Sequence, residues 1–126
     1  MAEYQSQYND AFFYLFRYQS KIPGMGSCHA IELPFVMHNT HLEDLSKNLT
    51  GEVPPQHLSD EMTDTWYAFA KTGNPSNAGI AEWPPYTAPF RTTMVIDEKG
   101  WEATPDRNRV NREMLRSAFD ECLIQQ

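Results

Sequence analysis

The sequence predicts a small α/β domain. Three observations carry that reading: two short runs of strand-forming residues lie far apart in the chain, two stretches carry a helical apolar stripe, and proline and glycine clusters separate them. At 126 residues, with 40% hydrophobic and 13% aromatic residues, the chain is expected to form one domain over residues 1–126 with a packed core.

The first strand is expected within Phe12–Tyr18, where Phe-Phe-Tyr-Leu-Phe-Arg-Tyr follows a polar flank and suits a strand buried on both faces. Ile22-Pro23-Gly24-Met25-Gly26-Ser27 must then loop. Residues 28–37 fit a short helix or turn on a core. Residues 38–57 read as surface loop, with scattered charges, Thr50-Gly51 and Pro54-Pro55.

Leu58, Met62, Trp66 and Phe69 fall at i, i+4, i+8 and i+11, one stripe of an amphipathic helix. Ser59 is placed to cap its start, Asp60 and Glu61 to complement the dipole there, and Gly73 to end it. Trp83-Pro84-Pro85-Tyr86 breaks regular structure and leads to a second strand, Thr92–Ile96, with a hairpin partner around Trp101–Thr104. A last helix, about Asn108 to Leu123, shows an apolar face of Val110, Met114, Leu115, Ala118, Phe119 and Cys122. Two strands make a marginal sheet in water, so further strands are expected from another piece or another copy.

Composition narrows the function classes. Seventeen acidic against ten basic residues give a net charge of −7, with the basic residues scattered singly, which argues against nucleic acid as a partner. No apolar run approaches the roughly 18 residues of a membrane span, and Met1–Gln5 lacks the regions of a signal peptide, so a cytoplasmic, non-membrane location is expected. Cys28 and Cys122 could form one bridge; two free thiols fit better. Asn48-Leu49-Thr50 matches a glycosylation acceptor that carries no weight without secretion.

Gly26-Ser27-Cys28-His29-Ala30-Ile31-Glu32-Leu33-Pro34-Phe35, just after a hydrophobic strand, resembles the histidine loop of type-B carboxylesterases, the family that includes the cholinesterases. Ala70-Lys71-Thr72-Gly73-Asn74-Pro75, Trp83-Pro84-Pro85-Tyr86 and a strand ending at Ile96-Asp97 resemble that family's downstream blocks in the same order. The likeness runs from about Phe12 to Phe119. It implies a partial α/β-hydrolase fold, limited to the C-terminal strands and helices, with the sheet completed by oligomerisation or a missing N-terminal piece.

The resemblance also maps the catalytic histidine onto His29. A loop beyond a strand's end can hold an imidazole where it shuttles a proton. The other parts of such a site are expected elsewhere: none of the six glycines has serine two residues on, so the Gly-x-Ser-x-Gly elbow is lacking. In triad order serine and acid precede histidine, so both are expected upstream, and the chain alone should not hydrolyse esters. The expected partners are a second copy or a complementary N-terminal esterase piece, with a small ester as substrate only after complementation, and no cofactor is implied.

Other residues have blander roles to set against a catalytic one. Ser27 and Cys28 adjoin His29, but neighbours on a tight loop point apart, so both are expected to shape the loop. Glu32 is read as a structural carboxylate accepting backbone hydrogen bonds. His38, His41, Glu43 and His57 could in principle bind zinc, yet no helix is expected to fix their geometry, which favours a solvated polar loop. The Phe12–Tyr18 aromatics, Trp66 and Phe69 are read as core, while Trp83 and Trp101 sit beside turns and stay open.

Overall fold

The computed structural model describes residues 2–124, apart from the side chains of Glu43, Leu45 and residues 120–124. Its elements are α1 (Ala2–Gln5), β1 (Tyr14–Phe16), α2 (Leu33–Val36), α3 (Glu43–Thr50), α4 (Gln56–Thr72), β2 (Thr93–Asp97), β3 (Gly100–Thr104) and α5 (Arg109–Ile124). The sheet has the order β1-β2-β3. β1 runs parallel to β2, with Tyr14 opposite Met94 and Phe16 opposite Ile96, while β2 and β3 form the expected hairpin.

Strand alternation divides the sheet into two faces. Tyr14, Phe16, Met94, Ile96 and Trp101 share one face by register, and there they meet α2 and α4. The core consists of Phe16, Tyr18, Ile31, Phe35, Leu58, Met62, Trp83, Met94 and Ile96. Edge-on ring contacts tie it together: Phe16 to Phe35 at 5.1 Å and Tyr14 to Trp66 at 5.0 Å between centroids. Trp83 is buried in this cluster. Trp101 is half-buried, its indole N–H donating to Glu61 Oε2 at 2.8 Å.

The first strand is shorter than the aromatic run that announces it. Hydrogen bonds from Met94 to Phe13 O and from Arg17 to Ile96 O mark the limits of its pairing. Only one neighbour exists among the described residues, so Phe13 is 47% exposed and Tyr14 and Leu15 are half-buried, against the expected burial on both faces.

Helix α4 bears out the stripe at Leu58 and Met62, both fully buried, with Trp66 packed partly against the core. Phe69 lies at the margin, in edge contact with Phe12. The expected start is wrong by one turn. Pro55 occupies the N-cap, no acidic residue lies in the first turn, and Ser59 is a buried interior residue whose hydroxyl donates to Phe35 O at 3.1 Å. Gly73 ends the helix as expected, at φ +77°.

Residues 38–57 are not the open loop their composition suggests, because they contain α3. This helix leaves Leu49 half-buried and buries Ser46 and Thr50. Their hydroxyls are satisfied by carbonyls one turn back, Ser46 on Leu42 O at 3.1 Å and Thr50 on Ser46 O at 2.7 Å, so small polar residues enter the interior at little cost. The last helix, α5, lies where expected, but Val110, Met114, Leu115 and Phe119 are all at least 60% exposed. The Cys122 side chain, expected on that face, lies outside the described residues.

Candidate active site around His29

The parallel pairing of β1 and β2 puts their carboxyl ends on one edge of the sheet. Ligands of open α/β sheets bind beyond such an edge. The chain leaves β1 there and builds the loop that carries His29. Lys21 fixes the loop over the end of the hairpin, its ammonium 2.8 Å from Glu98 Oε1 and 3.6 Å from Glu52 Oε1.

The loop is tied down at both ends. On its incoming side Tyr18 is fully buried, nearly parallel to Phe16 and 5.0 Å from the Phe35 ring, and its hydroxyl donates to Glu52 at 2.5 Å. Burial first, and then the Glu52 hydrogen bond, push the Tyr18 phenol far above its ordinary pKa, so it stays protonated. Ser27 donates to Tyr18 O at 2.8 Å and accepts from Gln19 Nε2 at 2.7 Å. Its hydroxyl is committed to the loop. On the outgoing side Ala30 adopts φ +67°, Ile31 N–H reaches Cys28 O at 3.3 Å, and buried Ile31 and Phe35 anchor the passage into α2.

Between those anchors the His29 side chain is exposed, with no hydrogen-bond partner among the described residues. Cys28 beside it is half-buried and free. Glu32 takes the N-cap position of α2 but its carboxylate makes no capping hydrogen bond, which corrects the expectation of a backbone-accepting role. Its charge acts instead on Tyr14, whose phenol is raised by burial and secondarily by Glu32.

The other cluster also resolves into local contacts. His38 Nε2 lies 2.8 Å from Asp60 Oδ1, which also accepts from Gln56 Nε2 at 2.8 Å, and these two contacts hold Asp60 below the usual carboxylate range. His38 and His41 rings stand 6.4 Å apart, and Glu43 lies outside the described side chains. Among the described residues no group of three or more His, Cys, Asp or Glu is placed to hold a metal ion. A cavity of about 120 Å³ is lined by Phe12, Tyr14, Thr65, Trp66, Phe69, Pro75 and Trp83, with no candidate nucleophile or base among them.

The part Glu52 plays is not disclosed by the sequence. It comes just after α3, and it meets Tyr18 across 34 positions of sequence. The one local signal is Gly51, which stands at φ +75° and whose missing Cβ would meet Ile22 at 2.9 Å.

This turn-borne histidine beyond a parallel strand can be compared with known proteins. A sequence model of the carboxylesterase family matches residues 1–114. The chain belongs to the carboxylesterase family. A para-nitrobenzyl esterase of Bacillus subtilis (strain 168) is 39% identical over 101 residues, which make up 78% of this chain and 20% of that protein. A human cocaine esterase is 31% identical over 90 residues, 67% of this chain and 16% of that one. A solved para-nitrobenzyl (PNB) esterase superposes with a TM-score of 0.78 at 31% identity, covering 89% of this chain and 23% of its own. The chain thus spans about a fifth of the length of the curated relatives it matches. Its three-stranded sheet and helices form part of the α/β-hydrolase fold of these carboxylesterases.

Proposed function

We propose that this chain acts as the C-terminal segment, residues 1–126, of a carboxylic-ester hydrolase in which His29 is the general base and acid. A serine hydroxyl from another piece gives its proton to the imidazole as it attacks the ester carbonyl, and His29 returns a proton to the departing alcohol. The observation that carries this reading is an imidazole held out from a turn anchored on both sides, with no hydrogen-bond partner among the described residues. Family membership supports it, and so does the lack of a Gly-x-Ser-x-Gly elbow in this sequence. Without the nucleophile and oxyanion hole the isolated chain is inert toward esters.

The missing parts come from a complementary esterase piece that pairs along β1, whose second edge has no neighbour among the described residues. A second copy of this chain is the other reading the same edge favours, giving a self-associated, non-catalytic module.

One experiment separates them. Hydrolysis of a p-nitrophenyl ester is measured for the chain, for an N-terminal esterase piece carrying the elbow, and for the two mixed. Activity only in the mixture, falling roughly 10⁴-fold or more in His29→Ala, is the expected result. Hydrolysis by the chain alone, or a mixture indifferent to His29→Ala, would overturn the proposal.

A further inference from the structure

We propose that Glu52 is a positioning residue for His29, acting through the Tyr18 hydroxyl and the Ser27 bridge. This rests on the reading of His29 as the proton-transfer group and adds the element that aims it. The chain of contacts is continuous. Glu52 Oε1 accepts from Tyr18 Oη at 2.5 Å, Tyr18 O accepts from Ser27 Oγ at 2.8 Å, and Ser27 lies two residues before His29.

The Tyr18 ring cannot swing to find another acceptor, because it is fully buried between Phe16 and Phe35. Glu52 is fixed in turn from several directions. Glu52 N–H donates to Thr50 Oγ1 at 3.4 Å, Thr50 O accepts from Lys21 N at 2.7 Å, and the Lys21 ammonium faces the Glu52 carboxylate. The segment 50–52 therefore clamps the loop at Tyr18 and again at Lys21 and Ile22, while the His29 ring has no such tether among the described residues. An imidazole held this way keeps its aim only if the main chain beneath it does, and a displacement near 1 Å at a reacting group costs on the order of 10²-fold in rate.

The test uses the complemented esterase. Tyr18→Phe keeps the ring and its packing but breaks the link; it should lower kcat about tenfold or more and leave KM within about twofold. Glu52→Ala should give the same loss, Glu52→Gln should restore most of it because its amide oxygen still accepts, and Tyr18→Phe with Glu52→Ala should be no worse than either alone. Nitrogen-15 relaxation of the isolated chain reports the same device without activity, as increased motion of the 27–30 amides in Tyr18→Phe. Unchanged kcat and unchanged relaxation in Tyr18→Phe would overturn the positioning role while leaving His29 in place. Activity that survives His29→Ala would instead remove the proton-transfer reading and this inference with it. Should Glu52→Ala fail to fold, Tyr18→Phe and Glu52→Gln still decide the matter.

Discussion

Helices α4 and α5 carry the same kind of apolar stripe and meet opposite fates. In α4, Leu58 and Met62 are sealed beneath Phe35, Ile96 and the β1 aromatics. In α5, Val110, Met114, Leu115 and Phe119 face outward, and the helix start is held chiefly by polar contacts, Arg112 bridging both Asp106 oxygens at 3.0 and 2.7 Å. Amphipathic periodicity thus states that a helix needs a covering surface, without stating that its own chain supplies one. For a segment spanning about a fifth of its relatives, that distinction matters.

The sharpest way to break the comparison is to delete one ring from each side. Phe35 is fully buried and touches Phe16 and Tyr18, so Phe35→Ala should cost about 3–5 kcal/mol in denaturant unfolding. Phe119→Ala, at 67% exposure, should change stability by no more than about 0.5 kcal/mol. A loss at Phe119 approaching that at Phe35 would mean that another surface covers α5 in solution.

A finer probe compares two helix ends with the same backbone. Gly51 and Gly73 both close a helix in the left-handed region, at φ +75° and +77°. Alanine at Gly73 meets nothing within 4 Å and should cost about 1 kcal/mol from conformation alone. Alanine at Gly51 would also press on the Ile22 backbone nitrogen at 2.9 Å, adding about 1–3 kcal/mol of strain. Equal losses at the two sites, measured by thermal unfolding, would show that the loop after β1 is not clamped where the structure places it.

Legibility in the sequence divides along physical lines. β2, its hairpin and the α4 stripe are legible because apolar burial at a regular period is written directly in the residues. The β1 run promises more strand than forms, since aromatic composition shows liking for a sheet while pairing depends on neighbours, and β1 has one among the described residues. α3 with its N-cap carries Leu42, Leu45 and Leu49 at i, i+3 and i+7, a helical period masked by the charges around it and by Thr50-Gly51 and Pro54-Pro55 after it. Ser59 looks like a cap because a hydroxyl suits a helix start and a buried carbonyl equally well. At the site, His29 stands out through the glycine-flanked motif, whereas the Tyr18 to Glu52 contact joins segments far apart in sequence and needs the fold itself.

Acid distinguishes the two halves most gently. The Arg112 hydrogen bonds hold the Asp106 carboxyl below its ordinary value. A depressed folded pKa means the contact contributes in full above the ordinary aspartate range and fades as pH falls through the folded value. Between about pH 6 and pH 3 the amides of Met114 and Leu115 should therefore exchange with solvent more readily, relative to their intrinsic rates, while those of Met62 and Trp66 hold. Other carboxylates titrate in this window, so Asp106→Asn supplies the contrast: it should already show the looser α5 at about pH 6 and respond less to acid. If α5 protection fell equally in the wild-type chain and in Asp106→Asn, the Asp106 to Arg112 contact would not be what fastens this helix to the body of the domain.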